Sequence, residues 1–275
     1  PVVQPLRDLR KLFVKEVRVA HGASPLFRAA PYVVFGATLL AAASVPLLGV
    51  TLPTATFADI VVVAALLALA RFFLALAAMD VGTAFGSLGA RREMMVGFLA
   101  EPALLMVIFV ASLISATTSL PAIAEQLATR ALGVYPSLAF TGVAFIMVLL
   151  AENARIPVDN PATHLELTMI HEAMLLEYSA RHLALMEWAA ALKLFNYACI
   201  GFALFLPWGT STGEGPLALA AAIGMLAVKP AVAGAALAVV ETVSAKLRVF
   251  RAPEFLATAF MLAVLGLLVH VLLKA

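Results

Sequence analysis

Apolar residues dominate this chain in long runs broken by short polar connections. Seven stretches, 31–50, 58–79, 93–116, 135–152, 181–206, 216–246 and 252–273, are apolar enough to be membrane helices. Each approaches or exceeds the roughly 20 residues that cross about 30 Å of hydrocarbon. Ahead of them, residues 5–19 set Leu6, Leu9, Leu12, Phe13 and Val17 at helical spacing against Arg7, Arg10, Lys11, Lys15 and Arg18. That pattern predicts an amphipathic helix lying in the membrane interface, too charged to span; a solvated helix against a partner protein is the competing reading. The expected fold is an all-α integral membrane protein, a bundle of seven transmembrane helices forming one membrane domain over 1–275. Residues 1–30 form its amphipathic segment, and 151–180 an acidic loop between membrane helices.

Composition agrees with the pattern: 64% hydrophobic and 12% charged residues with a mean hydropathy of +1.05 exclude a soluble globular domain. A net charge of +2 gives no reason to expect a nucleic-acid partner. A lone Cys199 excludes an internal disulfide or a cysteine-ligated iron–sulfur cluster. No cofactor is therefore expected in this chain, and any redox centre is expected in another subunit. The chain starts at Pro1 without an initiator Met, so it is expected to begin inside a longer gene product.

Lys and Arg are unevenly shared between the two sides. The side holding the N-terminus carries Arg7, Arg10, Lys11, Lys15, Arg18, Arg28, Arg91, Arg92, Arg155, Arg181, Lys246, Arg248 and Arg251, against Arg130 and Lys274 on the other. By the positive-inside rule the first side is cytoplasmic, and the loop of 151–180 with it.

Six ionisable residues fall well inside the ends of the expected spans: Arg71, Glu101, Glu187, Lys193, Lys229 and Glu241. Structural ion pairs and a proton or ion pathway are the two readings of such residues. Depth favours the pathway. At about 1.5 Å per residue, Glu241 and Glu187 lie roughly 8 to 9 Å from the cytoplasmic helix ends, Glu101 and Arg71 about 12 Å, Lys193 about 18 Å and Lys229 about 25 Å. The outer half is apolar down to Asp59. The Glu101-Pro102 and Lys229-Pro230 pairs add backbone carbonyls freed by proline beside the charge.

The loop is the polar exception of the chain. Glu152, Asp159, Glu166, Glu172 and Glu177 gather there with Arg155 among them, and Pro157 and Pro161 stiffen it. A short helix is expected over 163–176, with His164, Thr168, His171 and Glu172 on one polar stripe. His164 and His171, about 10 Å apart along such a helix, are too far apart to chelate one ion. Glu166 falls on the apolar side and needs a partner, for which Arg155 is the candidate.

Ala151-Glu152-Asn153-Ala154-Arg155-Ile156-Pro157-Val158-Asp159 resembles the Glu-x-Asn-Arg-x-Pro-x-Asp loop of the complex I subunit 1 family, a membrane component of NADH-quinone oxidoreductases. Glu177-Tyr178-Ser179 resembles the Glu-Tyr-Ser closing that loop, although Ala180 stands where the family often has Gly. The run Thr163-His164-Leu165-Glu166-Leu167-Thr168-Met169-Ile170-His171-Glu172 is more similar to the hydrogenase-4 and formate hydrogenlyase branch. So are Arg71-Phe72-Phe73, Arg91-Arg92-Glu93-Met94, Ala100-Glu101-Pro102-Ala103 and the stretch from Leu247 to Glu254. The resemblance implies an eight-helix subunit whose first helix would precede Pro1, in a bacterial or archaeal cytoplasmic (inner) membrane. It implies a non-catalytic anchoring and proton- or ion-coupling role in a complex I-related oxidoreductase. Implied partners are a cluster-bearing small subunit and a nickel–iron large subunit of a hydrogenase, together with antiporter-like membrane subunits and the lipid bilayer. Iron–sulfur clusters and a nickel–iron centre would sit in those partners. Glu152, Arg155, Asp159, Glu166, Glu172, Glu177 and Tyr178 would form the coupling loop that docks the redox arm. The alternative within the family is a quinone-chamber subunit of an NADH-quinone oxidoreductase, with the loop beside a quinone. From another class, a free-standing secondary transporter is disfavoured, because no internal repeat and no outer-half ion path are visible.

Overall fold

A computed structural model of the chain describes residues 3–20, 22–45, 58–129, 136–159, 169–208, 216–247 and 251–274. Ten helices lie among them: α1 Gln4–Val14, α2 Pro25–Ser44, α3 Ile60–Asp80, α4 Ala84–Ser115, α5 Leu120–Thr129, α6 Pro136–Glu152, α7 His171–Leu175, α8 Ala180–Phe205, α9 Pro216–Val243 and α10 Ala252–Lys274. Six are long and apolar enough to cross a membrane, and α6 is a shorter apolar helix. These seven correspond one for one to the seven expected spans.

Their boundaries differ where polar residues mark a helix start rather than a membrane edge. α2 begins at Pro25, earlier than the expected 31, because Ser24 Oγ accepts the Leu26 N–H at 3.1 Å and Pro25 fits the first helical turn. α4 begins at Ala84 rather than 93; the charges of Arg91, Arg92 and Glu93 conceal a continuous helix of 32 residues. The amphipathic helix over 5–19 is confined to Gln4–Val14, since Lys15 already has extended backbone. α5 is an additional helix in the connection 117–134. Of the helix expected over 163–176, residues 163–168, with His164, Glu166 and Thr168, lie outside the described residues; in the rest the helix spans His171–Leu175 and starts after Met169 and Ile170.

α4 is the axis of the bundle. It packs on α3, α6 and α10 and reaches α7, while α2 bridges α3 and α8, and α9 stands at the rim beside α8. At the end away from the acidic loop, Asp59 caps α3 through the Val61 N–H at 2.8 Å. There the Ile60 N–H donates to Thr118 O at 3.0 Å and the Leu120 N–H to Ala58 O at 2.8 Å, tying the starts of α3 and α5 together. Two apolar cores result. One runs through α3, α4, α6, α8 and α10 around Leu67, Val107, Phe145 and Leu256; the other joins α2, α3 and α8 around Phe27, Leu74 and Met186.

Close helix approach depends on small residues, as is general for packing without a hydrophobic drive between lipid-solvated helices. A Cβ at Gly266 on α10 would stand 2.7 Å from Thr141 Cγ2 and 3.0 Å from Ser137 O on α6. Gly266→Val is therefore expected to cost about 1 to 3 kcal/mol by overpacking. The readout is the thermal midpoint of the protein in detergent. Gly224→Ala, which meets nothing within 4 Å, should leave the midpoint unchanged or raise it.

Candidate functional site

At the loop end of the bundle four charged side chains from four helices meet. Arg71 of α3 bonds Glu152 of α6 through Nη1 and Glu101 of α4 through Nη2. Lys193 of α8 places Nζ 3.0 Å from Glu152 Oε2, an ion-pair contact lacking the alignment of a hydrogen bond. Glu152 is 2% exposed and Arg71 7%, whereas the Glu101 side chain is 43% exposed on the flank of the bundle. The order Lys193–Glu152–Arg71–Glu101 thus crosses from α8 to the open face of α4. A buried carboxylate held by two cations stays ionised only because both remain in place.

The local sequence makes room for this. Arg71 lies over Gly97, where a Cβ would stand 2.6 Å from its Nη1. Glu93, Gly97 and Glu101 follow at four-residue spacing, so two carboxylates flank the glycine on one face of α4. Glu93 is buried, and so is Tyr197, one turn beyond Lys193 on α8. Both lie close enough to Arg71 and Glu152 to feel their charge. Sequence reading passed over both as site residues. The spacing of Glu93, Gly97 and Glu101 is a signal for the first; buried Tyr197 offers none.

Glu152, placed by the sequence at the end of the expected span 135–152 and counted with the loop, is the last residue of α6, buried at the centre of the ionic group. From it the chain enters the loop. Asn153 Nδ2 donates to Leu149 O at 2.8 Å, and Ala154 takes φ +50°. Asp159 accepts the Ile170 and His171 N–H groups at 3.2 and 3.4 Å, supplying the cap that α7 lacks locally. Its other oxygen meets Lys246 Nζ at 3.1 Å. Arg155 bonds Glu241 of α9 at 3.4 Å. Its expected partner Glu166 lies outside the described residues. Arg92 of α4 donates to Met169 O at 3.0 Å. Tyr178 stacks on Phe27 with centroids 4.1 Å apart and donates to Phe27 O at 3.1 Å. Burial, then the Asp80 carboxylate, pushes its phenol pKa up, so it remains a donor. Ala180 takes φ +50°, left-handed backbone that Gly adopts freely and that costs Ala about 1 kcal/mol.

Between the loop and α8 opens a cavity of about 610 Å³ whose lining includes Glu152, Arg155, Asp159, His171, Tyr178, Glu187 and Lys193. Glu172 also lines it, and Glu187 is exposed. Glu177 is half-buried beside Tyr178. Lys229 is not brought into this group. Its Nζ donates to Leu206 O at 2.6 Å, at the opposite end of α8. Burial, then the Lys193 charge, lowers the His171 pKa from 6.5 to about 4, with Asp159 opposing.

A family model described as NADH dehydrogenase matches residues 1–272. The chain belongs to that family. It is 35% identical over 209 residues to hydrogenase-4 component C of Escherichia coli (strain K12), covering 75% of this chain and 64% of that relative, slightly under two thirds of its length. It is 31% identical over 268 residues to formate hydrogenlyase subunit 4 of the same organism, covering 96% of this chain and 85% of the relative. The structure titled membrane-bound sulfane sulfur reductase, an archaeal respiratory membrane complex, superposes with a TM-score of 0.82 at 21% identity, covering 97% of this chain and 86% of that one. That likeness shows a shared fold. The family expected from the loop motif is the family found, and the protein is a membrane subunit of the complex I-related kind.

Two measurements check the site. Glu152→Ala strands buried cations and is expected to cost about 3 to 5 kcal/mol, whereas Glu241→Ala, which breaks a part-exposed pair, should cost no more than about 1 kcal/mol. Chemical unfolding in detergent separates them. His171 binds its proton more weakly folded than unfolded, so its contribution to stability is complete above pH 6.5 and lost as pH falls toward about 4. The stability of wild type minus that of His171→Asn should be flat above pH 6.5 and fall steadily below it.

Proposed function

We propose that this chain anchors a peripheral redox arm on its acidic loop and couples electron transfer there to proton or ion movement, in a complex I-related membrane-bound hydrogenase. One observation carries the reading: the cavity beneath the loop reaches Glu152 and Lys193, and from there buried charges lead sideways to Glu101 on an open flank. The loop faces the cytoplasm of a bacterial or archaeal inner membrane, in line with the excess of Lys and Arg on that side. The two curated relatives are named as parts of a hydrogenase and a formate hydrogenlyase, which supports a hydrogenase arm; we take that arm to be a cluster-bearing small subunit with a nickel–iron large subunit. In this chain the loop residues hold the docking surface, Tyr178 fixes its closing end, and Glu152 and Glu101 hold and pass the proton. Glu101, a carboxyl on the flank of a membrane helix, needs a polar neighbour. An antiporter-like membrane subunit against α4 supplies it, so the proton leaves sideways and the apolar outer half stays sealed.

A second reading has its own support. A cavity of about 610 Å³ with Met169, Leu175, Leu176, Leu183 and Leu194 beside Tyr178 and His171 suits a quinone headgroup, as a quinone-chamber subunit would need. Where a quinone is bound it supplies two-electron, two-proton redox chemistry; this chain's residues would only orient it and hold protons.

Arg155→Glu sets two carboxylates against each other at the Glu241 contact. It should release the soluble subunits on purification, or abolish electron-driven turnover. Wild-type assembly together with wild-type activity would defeat the docking role. Glu101→Gln in the reconstituted complex should lower proton uptake per electron while the subunits stay together, and an unchanged ratio and rate would reduce Glu101 to a structural pair.

A further inference from the structure

The N-terminal helix α1 is joined to the acidic loop yet lies largely uncovered. On its axis Leu6, Leu9 and Phe13 share one face, with Leu12 beside them; Arg7, Lys11 and Asp8 occupy the other, and Arg10 the border. Leu6 and Phe13 are exposed, as are Arg7, Arg10 and Lys11. Phe13 meets Trp188 of α8 edge-on at 6.4 Å, and Trp188 also meets Phe35 of α2 at 5.1 Å. Trp188 lies eight residues past Ala180, about 12 Å down the helix. α1 therefore rests against the flank of α8, where Trp188 also meets α2, below the end of α8 and not on top of the bundle. A soluble subunit seated on the loop would meet the top. The flank at that depth belongs to lipid, and a half-exposed Trp there suits the headgroup boundary.

Charge identifies which lipid. Over residues 3–20 five cations, Arg7, Arg10, Lys11, Lys15 and Arg18, face two acids, Asp8 and Glu16, and Asp8 is engaged by Gln4 at 2.9 Å. Cations bordering an exposed apolar edge reach the phosphate level while Leu6 and Phe13 enter the acyl region. Past α1 the chain is fastened to the loop. The Arg18 N–H donates to Ser179 Oγ at 2.9 Å, and Ser179 Oγ donates to Arg18 O at 2.6 Å. Ser179 follows Tyr178, which is itself held on Phe27.

We propose that α1 is a binding site for anionic phospholipid, with headgroup phosphates held by Arg7, Arg10 and Lys11, and that its seating on the lipid positions the closing end of the acidic loop through the Arg18–Ser179 pair. The inference rests on the loop being the functional face, but its lipid part stands whether or not a redox arm docks there. Anionic lipid is thereby a determinant of how firmly residues 169–179 are held.

The test uses the assembled complex in nanodiscs of phosphatidylcholine alone or mixed with phosphatidylglycerol. Trp208→Phe leaves Trp188 as the sole tryptophan of this chain. Quenching by phosphatidylglycerol brominated on its acyl chains is compared with quenching by brominated phosphatidylcholine, with signals corrected by a complex also carrying Trp188→Phe. Wild type should prefer phosphatidylglycerol. Changing Arg7, Arg10 and Lys11 together to Gln should weaken that preference by up to about a hundredfold. Free inorganic phosphate should not compete. Hydrogen exchange in 169–179 should slow when phosphatidylglycerol is added to wild type, and respond less in Ser179→Ala. An unchanged preference in the triple variant, or competition by free phosphate, overturns the lipid site. Loss of a soluble subunit with the preference intact instead assigns α1 to a protein partner. Equal exchange responses in wild type and Ser179→Ala overturn the link to the loop. Release of the redox arm by Arg155→Glu is read separately, so failure of the docking role and failure of the lipid site give different results.

Discussion

A carboxylate buried inside a membrane bundle has to be surrounded by its own counter-charges, and Glu152 imposes that condition on the whole loop half of this protein. Its desolvation would cost several kcal/mol without compensation. The compensation comes from Arg71 on α3 and Lys193 on α8, two helices that share no loop and pack at different sides of the bundle. Satisfying Glu152 therefore fixes α3, α6 and α8 relative to one another. Gly97 then becomes necessary, because only a residue without a Cβ lets α4 close over the guanidinium. The apolar cores on either side could pack in several registers; the ionic group accepts one.

The same condition makes the site responsive. Each charge in the group is held by its neighbours, so a change at one alters the balance at the next, and the four helices meet where the loop begins. The loop is secured at several points: Asp159 on the α7 backbone and Lys246, Arg155 on Glu241, Arg92 on Met169, and Tyr178 with Ser179 on the N-terminal segment. Most of these anchors are polar and several are part-exposed, individually worth about 1 kcal/mol or less. A loop held by many weak contacts above a core held by a few strong ones can shift without unfolding the bundle.

Sequence showed the membrane helices because their signal is bulk apolarity, which survives errors of several residues. It was less informative where charge and helix coincide. Arg91 and Arg92 looked like a connection and lie within α4; Glu152, expected both to end a span and to open the acidic loop, closes α6 with its side chain buried. Counting depth along each helix placed Arg71 and Glu101 at one level, and the structure pairs them; Lys193, counted about 6 Å deeper, joins them through Glu152. Depth has no azimuth, however. It could not show that Lys229 points to the Leu206 carbonyl at the other end of α8, or that Glu187 sits on the rim of the cavity rather than in the buried group. Which cations meet Glu152 depends on helix rotation and neighbour order, set by contacts distant in sequence.

Helix rotation also decides what the ionic group can communicate. The Glu152 side chain is enclosed and Glu101 is not, although both bond the same guanidinium, so Arg71 connects an interior charge to one at the lateral surface. A group sealed on all sides would serve only to lock the helices. One that opens vertically through the outer half would admit ions across the membrane, since water follows charge into such a path. Among the described residues this one opens into the cavity under the loop and on the flank of α4, while the core beyond Leu67 and Ala100 holds mainly apolar side chains such as Val63, Val107 and Ile114, with buried Ser115, Ser137, Thr141 and His270 among them. An arrangement of that shape is suited to exchange with neighbours in the plane of the membrane.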